Sequence, residues 1–76
     1  MRNKIGSNMY EENINGVSIL YSYATPVACR GRYCFKTETN FSKTTSSHIN
    51  KWGAKNFETK SQDYFDNLEW SLRNEN

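Results

Sequence analysis

The chain has 76 residues and a formal net charge of +2 at pH 7. Its aromatic residues are five Tyr, four Phe and two Trp. This length suits one small domain, in which aromatic side chains must supply much of the buried surface. The apolar content argues against a disordered chain, and the apolar runs are far shorter than the roughly 20 residues of a membrane span. The basic N-terminus is not followed by the apolar segment of a secretory signal, so a cytoplasmic protein without membrane contact is expected.

Charge is unevenly distributed along the chain. Residues 29–60 hold seven Lys or Arg against two Glu, whereas residues 61–76 hold four acidic residues against one Arg. Two interpretations are open. The basic middle and the acidic end neutralise each other in the fold, or the basic middle binds an anionic partner.

The first hairpin is predicted at Asn15-Gly16, a pair that accepts the positive φ angles of a two-residue type I′ turn. Residues 1–8 are mostly polar, so a flexible N-terminus is expected there, followed by a single domain at residues 9–76. Alternation in the second strand of the hairpin places two sets of side chains on opposite faces. They are Val17, Ile19, Tyr21 and Tyr23 on one face, and Ser18, Leu20 and Ser22 on the other.

A second hairpin is predicted around Gly31-Arg32. Thr25-Pro26 ends the strand before it, because Pro has no N–H to donate to a sheet. A two-residue loop gives a specific register, in which Arg30 pairs with Tyr33, Cys29 with Cys34, and Ala28 with Phe35. The strands together predict an antiparallel meander of three to four strands.

Two helices are predicted after these strands. The first lies between Phe41 and Gly53, with Ser42 or Thr44 as its cap and Gly53 as its stop. Ser61 begins the second helix, of about twelve residues. The predicted fold class is therefore α+β, with both helices packed on one face of the meander. The packing residues are Thr45, His48, Ile49 and Trp52 in the first helix, and Tyr64, Phe65, Leu68 and Leu72 in the second.

Trp70 lies on the opposite side of the second helix from its packing stripe. Two interpretations are open for this side chain. It contacts a partner, for which a homodimer through the last helix is the simplest form, or it folds back across residues 1–10 as a lid.

Cys29, Cys34 and His48 are the candidate metal or catalytic residues. They supply three zinc ligands where a structural site uses four, and the cytoplasm disfavours a disulfide between the two thiols. The preferred interpretation is two reduced, partly buried thiols and a structural His48 that bonds a nearby hydroxyl or carbonyl. The sequence contains no phosphate loop, paired-carboxylate pattern or metal-binding helix motif, so a non-enzyme without cofactor or metal is expected.

The basic middle is interleaved with aromatic residues, and this pairing is typical of proteins that bind single-stranded nucleic acid. Cations hold phosphates, and aromatic rings stack on bases. The alternative is that the aromatic residues form the core and the lysines are merely solvated. The candidate binding residues are Arg30, Arg32, Tyr33, Lys43, His48, Lys51, Lys55 and Trp70.

Two segments resemble a family of small proteins encoded by phages and mobile elements, with the pattern S-Y-x-T-P-V-A followed by S-x-T-T-S-x-H-x-N-x-W. The first segment is residues 22–28, the second is residues 42–52, and Gly31 and Tyr33 of a short hairpin lie between them. The resemblance implies a phage context and no established biochemical role. That context adds a second hypothesis, an inhibitor that binds a host protein, such as a defence-system component, by direct contact.

Overall fold

A six-stranded mixed sheet and two helices form the α+β fold of residues 2–75, the part of the chain that the computed structural model describes. Strand order in the sheet follows chain order, and neighbours are antiparallel except for the last two, which are parallel. Within these residues no helix has the length and apolar character needed to cross a membrane. The strands are β1 (Asn3–Gly6), β2 (Met9–Ile14), β3 (Val17–Ser22), β4 (Thr25–Arg30), β5 (Phe35–Thr37) and β6 (Glu58–Lys60), and the helices are α1 (Lys43–Lys51) and α2 (Gln62–Arg73).

The α+β class is confirmed, but the prediction of three to four strands is too low. β1 forms within the N-terminal segment that was expected to be flexible, and it pairs with β2. β6 consists of three exposed residues and pairs with β5 after the chain has passed through α1. Both strands lie at the edges of the sheet, where side chains stay in solvent. They therefore lack the apolar alternation by which a strand is recognised in a sequence.

The first hairpin is confirmed. Asn15 and Gly16 have φ angles of 52° and 83°, and they join β2 to β3 with Ile14 opposite Val17. Tyr23, which was expected on the face of Val17, instead lies in the next turn with a φ angle of 59°. Its N–H donates to the Asn8 carbonyl, 2.7 Å away, so this turn packs beside the β1–β2 turn.

The predicted register of the second hairpin is wrong by one residue. Cys29 pairs with Phe35, and the loop between β4 and β5 has four residues instead of two. Because a one-residue shift moves a side chain to the other face, Phe35 lies on the face of Cys29 and packs edge-on against Tyr64. The loop also packs closely on the first hairpin, since a Cβ on Gly31 would lie 2.3 Å from the Gly16 carbonyl oxygen.

The sequence predicted that Thr25-Pro26 ends a strand. In the structure, Pro26 lies inside β4. It pairs with Tyr21 while Ala28 pairs with Leu20, so the register shifts between these two pairs. A bulge of this kind tolerates a residue without an N–H.

The two helices pack on opposite faces of the sheet, and the prediction that they share one face is wrong. α2 covers a cluster that contains Val17, Ile19 and Tyr21, whereas α1 covers a cluster that contains Leu20 and Ala28. Both sets of β3 side chains are buried. Each face of the sheet therefore requires its own cover.

The predicted helix ends are confirmed. The Ser42 hydroxyl accepts a hydrogen bond from the Thr45 N–H at 3.2 Å, and the Ser61 hydroxyl accepts one from the Tyr64 N–H at 3.4 Å. Gly53, with a φ angle of 89°, follows the last turn of α1. The buried side chains of the helices are those the sequence indicated, except that Tyr64 is partly exposed. They are Thr45, His48, Ile49 and Trp52 on the α1 side, and Phe65, Leu68 and Leu72 in α2.

Candidate functional site

A cleft of about 700 Å³ separates α1 from the segment of residues 5–9, which contains the β1–β2 turn. At 100° per residue, the α1 side chains that line it fall within a stripe about 140° wide. Among the residues that the structure describes, none of those lining the cleft is acidic. The α1 residues in the stripe are Lys43, Thr44, Ser47, His48 and Lys51.

A chain of buried hydroxyl groups sets the rotation of α1 about its axis. The Ser22 hydroxyl of β3 lies 2.8 Å from His48 Nδ1 and 3.0 Å from the Thr45 hydroxyl. The Ser42 hydroxyl donates to the Thr45 oxygen at 3.4 Å. These bonds connect β3 to the buried face of α1, and they thereby determine which α1 side chains face the cleft. They also connect the two segments, residues 22–28 and 42–52, that carry the family resemblance.

The Ser22–His48 contact has the distance of a nucleophile and its general base, but its surroundings favour a structural role. Ser22 is only 2% exposed, and its oxygen is already bonded on two sides. A catalytic nucleophile must reach its substrate. The contact between the Ser22 hydroxyl and His48 Nδ1 is the kind of bond that was expected from the sequence for a structural His48.

Trp52 forms the floor of the cleft at the end of α1. It is 5% exposed, and its indole N–H donates to the Glu11 carboxylate at 2.6 Å. The Arg30 guanidinium lies 4.1 Å from the centre of the Trp52 ring and donates to the Trp52 carbonyl at 2.8 Å. Arg30, a predicted binding residue, thus contributes to holding Trp52 and the end of α1 in place.

The remaining predicted binding residues lie outside the cleft. Arg32 donates to Glu75 at 2.7 Å, which attaches the β4–β5 loop to the end of the chain. Tyr33 stacks on Phe35, with 5.3 Å between ring centres. Lys55 follows α1, and its carbonyl accepts a hydrogen bond from Lys36. The cleft therefore unites three of the eight predicted residues, namely Lys43, His48 and Lys51.

Trp70 lies on the opposite face of the sheet from the cleft, because α2 covers that face. It is 69% exposed. This exposure contradicts the interpretation of Trp70 as a lid folded across the N-terminal residues, and it leaves the indole available for a contact.

Two lining residues of the cleft, Thr44 and Ser47, were missed as site candidates. The sequence shows them only as members of a run of hydroxyl residues at a helix start. Their spacing was the available signal, since side chains four positions apart lie on one side of a helix: Ser47 lies four positions from both Lys43 and Lys51, and Thr44 lies four positions before His48.

The two lysines of the cleft differ from the arginines in their pairing. Lys43 and Lys51 form no ion pair within residues 2–75, whereas the arginines are paired with carboxylates. The charge of the two lysines is therefore available to an external anion.

A cluster of charged residues connects α2 to the sheet on the opposite face. Glu69 accepts hydrogen bonds from the Tyr21 hydroxyl, Arg2 and Arg73, and these donors, Tyr21 foremost, lower the pKa of Glu69. Burial by itself would raise the pKa of Glu12, but hydrogen bonds and charges of its cationic neighbours, Arg73 among them, outweigh it and leave the pKa lowered. Arg2 also lies over the Tyr21 ring, 3.7 Å from its centre. Arg2 and Arg73 on this face are thus paired with Glu12 and Glu69.

The cysteines do not share a site with His48. Cys29 is buried, and burial raises the pKa of its thiol, whereas Cys34 is exposed. In the described part of the chain, no group of three or more His, Cys, Asp or Glu is arranged to hold a metal ion. The two thiols are free, and the predicted pairing of Cys29 with Cys34 across the hairpin is replaced by Cys29 with Phe35.

The model of a family of unknown function, DUF8033, matches residues 2–67. The chain belongs to this family. The matched range runs from the residue before β1 to the middle of α2, so it contains the whole α1 cleft. No curated protein and no solved structure matches the chain.

Proposed function

We propose that the protein binds single-stranded nucleic acid in the cleft along α1. One observation carries this proposal. The cleft presents Lys43 and Lys51, which form no ion pair within residues 2–75, and none of its described lining residues is a carboxylate. A groove with cations and no acidic wall attracts phosphates and does not repel them.

The spacing of the two lysines suits a strand that runs along the helix. Lys43 and Lys51 are eight positions apart, which corresponds to about 12 Å along the α1 axis at 1.5 Å per residue. Thr44 and Ser47 lie between them and offer hydroxyl groups. The backbone N–H groups at the N-terminus of α1 add a partial positive charge near Lys43, and no acidic residue in the first turn neutralises it. Backbone phosphates of one strand can therefore contact the α1 stripe at several points.

Exposed aromatic rings near the cleft favour a single strand over a duplex. Tyr23 is 51% exposed, and its ring centre lies 6.2 Å from that of His48, which lines the cleft. Phe41 is 47% exposed and directly precedes the cap of α1. Unpaired bases can stack on such rings, whereas the bases of a duplex are already stacked on each other.

The test is fluorescence anisotropy of labelled single-stranded DNA and RNA oligonucleotides over a range of salt concentrations. We expect the double substitution Lys43→Gln, Lys51→Gln to weaken binding roughly tenfold or more at low salt. We also expect it to reduce the slope of log K against log salt by about 1.4, because each contact with a single strand contributes about 0.7. A duplex of the same sequence should bind more weakly than either strand.

The matched control is the double substitution Arg32→Gln, Lys60→Gln. It removes the same charge from residues outside the cleft, since Arg32 is paired with Glu75 and Lys60 lies over the Phe35 ring. Equal loss of binding in both double variants would show a general charge effect and contradict the proposed site. A wild-type protein that binds no oligonucleotide at low salt would overturn the function, and the host-protein hypothesis would then be preferred.

A further inference from the structure

Trp70 forms the rim of a second cleft, on the face of the sheet that α2 covers. This cleft has a volume of about 410 Å³, and its lining includes Tyr21 of β3 and Phe65 of α2. At 69% exposure, Trp70 is the most exposed large apolar side chain in the described range 2–75. An indole in this position provides a broad aromatic face next to a depression, which is a common form of partner contact.

The charges around Trp70 leave a local excess of negative charge. Arg2 and Arg73 face two glutamates, Glu12 and Glu69, with which they form ion pairs, so these four charges balance.

Two further carboxylates lie on the outer side of α2 beside Trp70. Asp66 and Asp63 precede Trp70 by four and seven positions, so they lie on the same side of the helix. Neither of them forms an ion pair in the described part of the chain, and Asp66 accepts its hydrogen bond at 2.9 Å from the neutral Gln62 amide. Trp70 is therefore an exposed aromatic ring on the same side of α2 as two carboxylates that form no ion pair in the described chain, and Asp66, one turn away, lines the same cleft.

We propose that Trp70, Asp63 and Asp66 form a docking surface for a protein partner that inserts an Arg or Lys side chain. The flat indole attracts a cation over its face, and the carboxylates accept its N–H groups. Arg fits best, because its planar guanidinium stacks on the indole and bonds a carboxylate at the same time. The negative charge of this surface disfavours nucleic acid. The surface also lies on the opposite face of the sheet from the α1 cleft.

The same charges argue against a second copy docked through α2. A two-fold symmetric dimer joins two copies of the same surface, so the carboxylates of Asp63 and Asp66 from both copies would lie within one interface. Like charges brought together across an interface oppose association. A partner that presents a cation is the better complement.

The probe is a short synthetic peptide in which Arg alternates with Gly and Ser, titrated into the ¹⁵N-labelled protein. The protein contains two indole N–H signals, from Trp52 and Trp70, and Trp70→Phe assigns them. We expect the Trp70 indole and the amides around Asp63 and Asp66 to shift, while the α1 amides stay in place. The same peptide with Gln in place of Arg should produce no shift.

Variants separate this docking surface from general charge attraction. Trp70→Ala and, separately, the double substitution Asp63→Asn, Asp66→Asn should each weaken peptide binding about two- to fivefold. The control Glu38→Gln, Glu58→Gln removes the same charge from exposed positions elsewhere, and it should bind like wild type. Because Trp70 is exposed, its replacement should leave the circular dichroism spectrum unchanged and shift the melting temperature by no more than about 4 °C.

Several results would overturn the proposal. One is equal weakening by the Asp and the Glu double variants, and another is peptide shifts confined to α1. A third is a dimer in analytical sedimentation that Trp70→Ala dissociates, since the occupant would then be a second copy. Salt-dependent oligonucleotide binding in the α1 cleft is measured separately, so failure of one site does not decide the other.

Discussion

The two faces of the sheet are covered by helices of opposite chemical character. α1 contains two Lys, one His and no acidic residue, and its buried face bonds to the sheet through the hydroxyls of Thr45 and Ser22. α2 contains three acidic residues and one Arg, and it buries Phe65, Leu68 and Leu72. Buried hydroxyls thus act together with the apolar Ile49 and Trp52 on the inner side of α1, while charged pairs surround the apolar contact of α2.

This difference decides which groups remain available outside. On the α1 side, neutral hydroxyls bond to one another in the interior. No carboxylate of the described residues lines the cleft, so the two lysines of the helix are left for solvent or a ligand. On the α2 side, Arg2 and Arg73 are paired with Glu12 and Glu69, so the accessible features are carboxylates and Trp70. One face therefore presents cations and the opposite face presents an acidic aromatic surface.

The two tryptophans provide the largest expected contrast between the faces. Trp52→Ala should lower the free energy of unfolding by about 3–5 kcal/mol, because it removes a buried ring together with the indole contacts to Glu11 and Arg30. Trp70→Ala should change it by about 0.5 kcal/mol or less, since the side chain is exposed. Urea unfolding followed by circular dichroism measures both, and similar losses in the two variants would contradict the assignment of one ring to the core and the other to the surface.

The buried hydroxyl chain predicts a smaller loss on the α1 side. Ser22→Ala should cost about 1–3 kcal/mol, because His48 Nδ1 and the Thr45 hydroxyl both lose a partner in a site that water does not reach. Ser71→Ala, an exposed serine of α2, serves as the control and should be neutral within about 0.5 kcal/mol. If Ser22→Ala is also neutral in urea unfolding, the hydroxyl chain does not stabilise the packing of α1.

The helix caps test whether α1 depends on local bonds more than α2 does. Ser42→Ala should cost about 1 kcal/mol, since it removes the bond to the Thr45 N–H. Thr44→Ala should have little effect, because the Thr44 hydroxyl is not the cap. Ser61→Ala should cost less than Ser42→Ala, because the bond from Tyr64 to the Ser61 hydroxyl is longer, at 3.4 Å. A larger loss for Thr44→Ala than for Ser42→Ala in thermal melts would mean that the helix begins at a different residue.

The smallest expected effect is the acid sensitivity of the α2 side. The pKa of Glu69 is lowered below its usual value of 4.5 in the folded protein, so its stabilisation is present above that pH and is lost as the pH falls through the folded pKa. Glu69→Gln should therefore cost less than about 1 kcal/mol at pH 7, since the group is partly exposed, and it should reduce the loss of stability between neutral and acidic pH. Urea unfolding at several pH values measures this slope. The double substitution of Lys43 and Lys51 should leave the slope unchanged, and an equal change in both variants would remove the electrostatic distinction between the faces.

The sequence by itself determined the features that depend on neighbouring residues. Asn15-Gly16 forms the turn between β2 and β3, Ser42 and Ser61 cap their helices, and Gly53 ends α1. Each feature requires only a backbone angle or a hydrogen bond within a few positions, so its signal is contained in a short segment. The apolar stripes of the helices and the alternation in β3 follow for the same reason.

Part of the candidate site was also predictable. Lys43, His48 and Lys51 were selected from the sequence, and they share the cleft because they belong to one helix. Arg30 and Arg32 were selected on the same basis of charge, but their guanidinium groups are engaged by the Trp52 carbonyl and by Glu75. Arg32 and Glu75 are 43 positions apart, and no local pattern connects them.

Only the tertiary structure decided the edge strands, the register of the second hairpin and the faces on which the helices pack. Each of these features depends on groups that are distant in the sequence. β5 pairs with β6 across the whole of α1, and Phe35 shifts by one position, onto the face where it meets Tyr64 of α2. Packing and hydrogen bonding between distant segments select among arrangements that local sequence permits almost equally, and this selection separates the cationic face of the protein from the acidic one.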